Sequence, residues 1–353
     1  KSYFANYKIT EDKWYEDIRF IDGKKYKNNI DIFVGGSPCQ SFSIIGKRAG
    51  LNDARGTLFY EYARLVKEIK PKVFIYENVL GMLNHDKGNT WKIIQDVFES
   101  LGYNIYPMIL NAKDYGIPQD RKRLFVVGFK NKKIKFDPPQ KIKINKFLPD
   151  FLEGNVDAKE KSIIRSLSSP IKKKKYVDEL YQKATSAKNY VKKSYLANYH
   201  NFDENYYFQD IKLLDGTDFE GKVDAKYYLG KKGFEFVTNP KYKNRARINN
   251  QIIQTQKANQ QFNWNGDFVF EPLDIKKHNE EILKRAYIGK YNNQIGVIRQ
   301  LTHKECMRLM GFPDTYNIVV SNVWAYRQAG NSIVVNVLVA ILMEVFKNEK
   351  DLD

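Results

Sequence analysis

Cysteine is nearly missing from this chain: Cys39 and Cys306 are the two copies in 353 residues. They lie far apart in unlike settings, so no disulfide framework can be built, and a reducing, cytoplasmic environment fits best. Histidine is scarce as well, with His85, His200, His278 and His303 scattered along the sequence. No CxxC or HExxH spacing exists, which argues against zinc, and no metal is expected. Acidic residues are too few to balance the basic ones, 41 against 59, leaving a net charge of +18. Such a surplus attracts polyanions, nucleic acid first among them, although a solubility device or a host habit of composition would look the same. Long apolar runs are lacking too. The most apolar stretch, 333–346, is broken by Asn336 and Glu344 and reads as a buried helix, so no membrane is expected. No charged-then-apolar leader is present, and secretion is not indicated.

What remains is a chain with 42% hydrophobic residues, enough for a core, and long enough for two domains or one large domain with an insertion. Residues 30–36 (IDIFVGG) form a short apolar run ending in glycine, a buried-strand signal. Over 58–70 the residues Leu58, Tyr62, Leu65, Val66 and Ile69 share one helical face that stops before Pro71. Residues 73–76 predict a second strand. Thr90 can cap a helix whose buried face is Trp91, Ile94, Val97, Phe98 and Leu101, with Gly102 just past its end. Residues 103–110 and 124–129 predict further strands. Alternation of this kind predicts an α/β domain, a mostly parallel sheet with helices on both faces.

From residue 131 the character changes. Pro138-Pro139 and the Lys-rich stretch 171–176 mark a boundary into a polar, basic middle rich in Tyr, Asn and Gln. The end is legible again: Thr302 and Glu305 form a TxxE capping box, and Gly330-Asn331-Ser332 is expected to open the last helix. No internal repeat is present. The expected organisation is one architecture at 1–130 and 295–353, with 131–294 inserted as a smaller domain.

Three segments could carry chemistry. Gly35-Gly36-Ser37-Pro38-Cys39-Gln40 closes the first strand, and open parallel sheets put ligands beyond the carboxyl ends of their strands. A cysteine there is well placed as a nucleophile, although a lone cysteine is more often a small buried hydrophobe, the reading kept for Cys306 beside Leu309 and Met310. Glu77-Asn78-Val79 follows the second strand, and a partly desolvated carboxylate has a raised pKa and can donate a proton near neutrality. Gln119-Asp120-Arg121-Lys122-Arg123 precedes the next strand, where Arg121 and Arg123 would point the same way and suit a phosphate, a carboxylate or a base oxygen. A surface acid and a solvated basic edge are the plain alternatives.

These segments resemble the DNA cytosine-5 methyltransferases of bacterial restriction–modification systems. Residues 36–43 (GSPCQSFS) look like the family's catalytic loop with its PCQ core, Glu77-Asn78-Val79 like its ENV motif, and residues 119–123 like QxRxR. Arg299 through Asp314 looks like the RxLTxxE…GFPD segment, and residues 328–332 like the final GNS motif. The order and spacing match at both ends of the chain. The resemblance implies a Rossmann-like sheet with an inserted target-recognition domain, and S-adenosylmethionine as cofactor. It implies that Cys39 adds to cytosine carbon 6, that Glu77 engages N3, and that Arg123 with Arg121 holds O2. It assigns the cofactor to Asp17, Ile18, Pro38, Leu58, Asn331, Ser332 and Ile333, the GNS residues through backbone N–H groups at a helix start. The target base would be flipped out of duplex DNA. Ser37, Gln40, Ser43, Lys47 and Arg48 of the loop would face base or phosphate. Within the middle segment, Arg245, Arg247 and Thr255 resemble a recognition core, with Gln256 departing from the usual aliphatic residue.

The family's opening Phe-x-Gly-x-Gly loop and the acid that follows it are not found, and residues 1–7 (KSYFANY) already resemble what comes next. The expectation is that roughly forty residues of the family pattern are missing, through truncation or because a complementary polypeptide supplies them. The reading is therefore an enzyme that protects host DNA at a specific site, monomeric on double-stranded DNA and associated with the nucleoid. A DNA-reading subunit of a split enzyme and a tRNA cytosine-5 methyltransferase of the same fold are the alternatives.

Overall fold

The structure, a computed structural model, describes residues 1–38, 58–153, 223–242, 246–274 and 277–347. Its strands in chain order are β1 (Ile32–Gly35), β2 (Val73–Val79), β3 (Asn104–Asn111), β4 (Gln119–Asp120), β5 (Lys122–Phe129), β6 (Arg247–Ile248), β7 (Ile253–Gln254), β8 (Asp267–Pro272), β9 (Gly289–Tyr291) and β10 (Gln294–Gln300). The helices of six residues or more are α1 (Leu58–Ile69), α2 (Asn89–Ser100), α3 (Lys231–Thr238), α4 (Glu280–Arg285), α5 (His303–Arg308), α6 (Asn322–Asn331) and α7 (Val335–Phe346). Contacts divide the chain into two compact units. The first is Trp14–Tyr115, Arg121–Lys143 and Asn336–Asp353; the second is Lys1–Lys13, Gly116–Asp120 and Ile144–Val335. These boundaries follow contacts, whereas the expected ones at 130 and 294 follow motif order.

The first unit is built on a sheet of order β1-β2-β5-β3. Its second strand alternates Phe74, Tyr76 and Asn78 on one face with Val73, Ile75, Glu77 and Val79 on the other. The first face meets helices α1 and α2, so that Phe59, Tyr62, Val66, Phe74, Tyr76, Ile94, Phe98, Leu124 and Val126 make one buried cluster. Each large side chain fully removed from water there contributes roughly 1.5–3 kcal/mol. Helix α2 ends as its sequence predicts, with Gly102 at φ 89°. Thr90 does not cap it: the helix begins at Asn89, and the buried Thr90 hydroxyl bonds His85 Nδ1 at 2.7 Å.

Strands β1, β2 and β3 run the same way, so the expected mostly parallel sheet is present with one strand reversed. β1 and β2 are parallel, but β5 runs antiparallel to both β2 and β3. Strands β3 and β5 are joined by the short segment 112–121, which carries no crossover helix, and strands so joined can pair side by side only antiparallel. One correction concerns β2. It does not stop at Tyr76 but continues through Val79, because Glu77 and Val79 pair with Phe125 and Arg123 of β5.

In the second unit the strand order is β6-β8-β10-β9, with β4 and β7 forming a separate parallel pair. Leu229, Phe234, Val237, Ala246, Phe268, Phe270 and Ile298 form its apolar cluster. Asn292 and Asn293 both take positive φ, 44° and 64°, and close the tight β9–β10 hairpin. Helix α5 starts with the predicted capping box: Thr302 Oγ accepts from Glu305 N–H at 3.1 Å, and Glu305 Oε2 accepts from Thr302 N–H at 2.8 Å.

Two expectations at the chain end are overturned. Gly330-Asn331-Ser332 does not open the last helix; it closes α6, whose last helical residue is Asn331. Ser332 is extended, its N–H donating to the Ala329 carbonyl at 3.3 Å, and α7 begins at Val335. Helix α7 is also only partly buried. Val337, Ile341 and Val345 face inward, while Val339, Met343 and Phe346 are exposed. Residues 322–346 have the length and composition of a membrane span, but extended backbone near Ser332 divides them, and the 12 residues of α7 span about 18 Å, well short of a bilayer core.

Candidate functional site

The predicted acid lies on the first unit's sheet near the end of β2. Glu77 is largely buried, its side chain 18% exposed, and its Oε1 lies 3.2 Å from Arg123 Nε. Arg123 stands opposite Val79 in the β2–β5 register, so the two charged groups are diagonal neighbours on one sheet face. Burial pushes the Glu77 carboxyl above its ordinary pKa, and the attraction of Arg123 and Arg121 does not undo the shift. Arg121 is 4% exposed. Burial, and then the like charge of Arg123, lower its guanidinium to about 9, against the pull of Glu77. Its backbone is fixed on both sides: Arg121 N–H donates to Asn111 Oδ1 at 3.0 Å, and its carbonyl accepts from Ala112 N–H at 3.2 Å. Arg123 of the QxRxR segment thus contacts the acid of the ENV segment, and Arg121 adds electrostatic attraction.

The stem of the PCQ loop is fastened to the same strand. A Cβ at Gly36 would lie 2.5 Å from the Glu77 carbonyl oxygen, so only glycine allows β1 to finish this close to the acid. Ser37 follows. Asn78 Nδ2 donates to its carbonyl at 2.9 Å, and its hydroxyl pairs with the Tyr76 hydroxyl at 2.7 Å. Ser37 is 8% exposed, its hydroxyl turned toward Tyr76 rather than toward an open surface. Pro38 is the last described residue of this stem. Cys39, Gln40, Ser43, Lys47 and Arg48 lie outside the described residues, as does Arg245.

The residues expected to hold the cofactor fall in both units. Asp17, Ile18, Pro38 and Leu58 belong to the first, and Asn331, Ser332 and Ile333 to the second. Arg64 of α1 holds the Asp17–Ile18 segment against the helix that Leu58 begins, donating to the carbonyls of Ile18 at 3.0 Å and Ile21 at 2.9 Å. A carboxylate can accept from the amino group of an aromatic amine such as adenine. The Asp17 carboxyl is held near 2 by hydrogen bonds from Arg19, so it stays an acceptor. Arg19 reaches both Asp17 oxygens, through its backbone N–H, Nε and Nη2.

In the second unit, Arg247 is exposed on β6 and Thr255 follows β7. Thr255 Oγ donates to the Asp120 carbonyl at 2.7 Å. Gln119, fully buried, accepts from Gln256 N–H at 3.0 Å and donates to the Leu309 carbonyl at 2.7 Å. The first half of the QxRxR motif thus belongs to the recognition-like segment, a role that sequence reasoning missed. The arginines drew attention by charge, whereas a buried glutamine has no sequence signal of its own. Also missed was a buried network around Arg299. Its Nε meets Glu271 Oε1 at 2.8 Å and its Nη2 meets Glu305 Oε1 at 2.9 Å. Cys306 is fully buried and burial pushes its thiol up, in keeping with a packing role. Among the described residues no cluster of three His, Cys, Asp or Glu could hold a metal.

Comparison with known proteins bears on this arrangement. The family model described as C-5 cytosine-specific DNA methylase matches residues 1–347. The type II methyltransferase M.SsoII of Shigella sonnei is 32% identical over 349 residues, covering 98% of this chain and 70% of its own length. The orphan methyltransferase M.SPRI of Bacillus phage SPR is 30% identical over 402 residues, covering 98% of this chain and 89% of its own. Among solved structures, the S. pombe Dnmt2 methyltransferase is similar with a TM-score of 0.55, across 96% of this chain and 84% of its own at 17% identity.

Proposed function

This chain belongs to the C-5 cytosine-specific DNA methylase family, and on that premise we propose that it methylates carbon 5 of a flipped-out cytosine within a specific double-stranded DNA sequence. Its fold is the Rossmann-like fold of these methyltransferases, and by family it is a DNA cytosine-5 methyltransferase. The observation that carries the detailed reading is the buried Glu77–Arg123 pair with the glycine at the stem of the PCQ loop packed against it.

Carbon 5 of cytosine is too weak a nucleophile to accept a methyl group unaided. Cys39 adds as a thiolate to carbon 6, which turns carbon 5 into a nucleophile. Glu77, its pKa raised by burial, hydrogen-bonds N3 and limits the charge on the ring. Arg123 and Arg121 hold the base oxygen O2 and orient the acid. S-adenosylmethionine, when bound, supplies the electrophilic methyl. The carbon 5 proton then leaves, the bond to Cys39 breaks, and 5-methylcytosine and free thiolate remain. By resemblance to the family, Asp17, Ile18, Pro38, Leu58, Asn331, Ser332 and Ile333 are the residues assigned to the cofactor. Since Ser332 N–H already donates to Ala329, the GNS segment contributes through side chains and remaining backbone groups rather than as a helix start.

Residues 131–294 read the target, with Arg245, Arg247 and Thr255 facing DNA. The +18 charge supports backbone binding, which weakens as salt rises. The type II methyltransferase M.SsoII supports a role in restriction–modification, protecting host DNA in the cytoplasm. The test is covalent trapping on a long duplex in which every cytosine is 5-fluorocytosine, which blocks loss from carbon 5. We expect a denaturation-resistant protein–DNA complex with S-adenosylmethionine, and none with Cys39→Ser. A wild-type chain that shifts DNA without trapping would refute the catalytic reading and leave a DNA-reading module.

A further inference from the structure

We propose that Tyr76 is a positioning residue for methyl transfer: its hydroxyl ties Ser37, two residues before Cys39, to Asn78 of the acid-bearing strand, setting the stem of the nucleophile's loop against Glu77. The proposal deepens the function given above and rests on it.

The bonding leaves little freedom. Asn78 Nδ2 donates to the Ser37 carbonyl and to the Tyr76 hydroxyl, each at 2.9 Å, and Asn78 Oδ1 accepts from Val79 N–H at 2.8 Å. Both amide protons and the amide oxygen are thereby committed. An amide nitrogen can only donate, so the Tyr76 oxygen accepts from Asn78. Its own proton goes to Ser37 Oγ, 2.7 Å away. Ser37 is thus held by its carbonyl and by its side chain, from two residues of one strand. Fixing two atoms of one residue fixes the direction in which the chain leaves toward Pro38 and Cys39.

Packing alone does not call for the hydroxyl. Tyr76 is fully buried, on the face covered by α1 and α2, and its ring lies 5.8 Å from that of Phe59 and 5.6 Å from that of Phe98. A phenylalanine would fill the same space. Two other buried tyrosines of this core send their hydroxyls to backbone carbonyls of the scaffold, Tyr62 to Ile75 at 3.0 Å and Tyr103 to Pro71 at 2.7 Å. Of the three, Tyr76 alone bonds the loop stem. Tyr103→Phe is therefore a matched control that deletes one buried hydroxyl of the same core away from the loop.

The experiment measures the single-turnover rate of covalent complex formation on the 5-fluorocytosine duplex, the KM for S-adenosylmethionine and the thermal midpoint, using the full chain. For Tyr76→Phe we expect complex formation about tenfold slower, the size of one lost hydrogen bond expressed in a barrier, with an unchanged KM. Tyr103→Phe should lower the thermal midpoint and leave the rate unchanged. Ser37→Ala should slow the reaction as Tyr76→Phe does, and the double variant should be no slower than either, because both remove one linkage. If Tyr76→Phe traps at the wild-type rate, or if Tyr103→Phe slows trapping equally, the proposal is overturned by itself. A wild-type chain that forms no covalent complex overturns the underlying function, and the proposal with it.

Discussion

Each unit buries a glutamate beside arginine, and the two glutamates end in opposite states. Glu271 in the second unit has four donors: Arg299 Nε at 2.8 Å and Lys277 Nζ at 3.2 Å on one oxygen, His278 Nε2 at 2.9 Å and the Tyr228 hydroxyl at 3.0 Å on the other. Burial alone would push it up, but these partners outweigh burial and hold it well below the usual carboxylate range. Glu77 in the first unit has one close cation among the described residues, Arg123 at 3.2 Å, and burial prevails. Glu271 is the more deeply buried of the two, 5% exposed against 18%, so the supply of donors and not depth sets the direction of each shift. A saturated carboxylate is a structural anion, while an under-supplied one keeps affinity for a proton and can exchange it with a base.

The contrast can be broken most severely at Arg299. Arg299→Met should strand Glu271 and Glu305, whose carboxylates it pairs, and cost roughly 3–5 kcal/mol in chemical denaturation. A loss as small as that of a surface ion pair would mean that the network is not what holds this unit. A third acid sharpens the comparison. Asp267 is 4% exposed, with Oδ2 accepting from Gln254 N–H at 2.9 Å and Oδ1 buried without a partner. Burial raises it from 3.8 to about 6, an intermediate state that matches its intermediate supply of donors. Because its folded pKa is raised, its contribution to stability is complete below pH 3.8 and is lost as pH rises through about 6. Asp267→Asn should therefore gain on the wild type by about 2–3 kcal/mol between those limits. Stability curves that stay parallel over that window would contradict the assignment.

The units also differ in how far they could be read in advance. In the first, amphipathic helices and apolar strands run long enough for their periods to show: Tyr62, Val66, Ile94, Val97 and Phe98 are buried where the pattern puts them, while Phe59 and Ala63, left off the expected face, are buried with them. The reversal of β5 alone did not follow, since the alternation of strand and helix ends at residue 102 and the β3–β5 connection has no helix. In the second unit β6 and β7 have two residues each and β9 three, too short for alternation to register. The Asn292-Asn293 turn was the signal available there and went unread. Cys39, Glu77, Arg121 and Arg123 stood out by residue type and motif. Tyr76, Gln119 and Arg299 act through buried polar bonds between distant segments, which no local pattern encodes. The GNS segment was misplaced because a glycine ahead of Asn-Ser reads as a break, whereas Gly330 lies inside α6, where a Cβ would meet Ala258 N at 2.4 Å.

The central claim is that a largely buried Glu77, its pKa raised, works on the same base that Cys39 attacks. Its most direct test is the pH dependence of covalent trapping on 5-fluorocytosine duplex by wild type and Glu77→Gln. Because burial raises the Glu77 pKa, its protonated fraction falls as pH rises through that value. The wild-type rate should therefore show a descending alkaline limb that Glu77→Gln lacks, and the variant should be slower by about a hundredfold or more. If Glu77→Gln traps as fast as the wild type, or keeps the same alkaline limb, Glu77 is not the acid and the account is wrong.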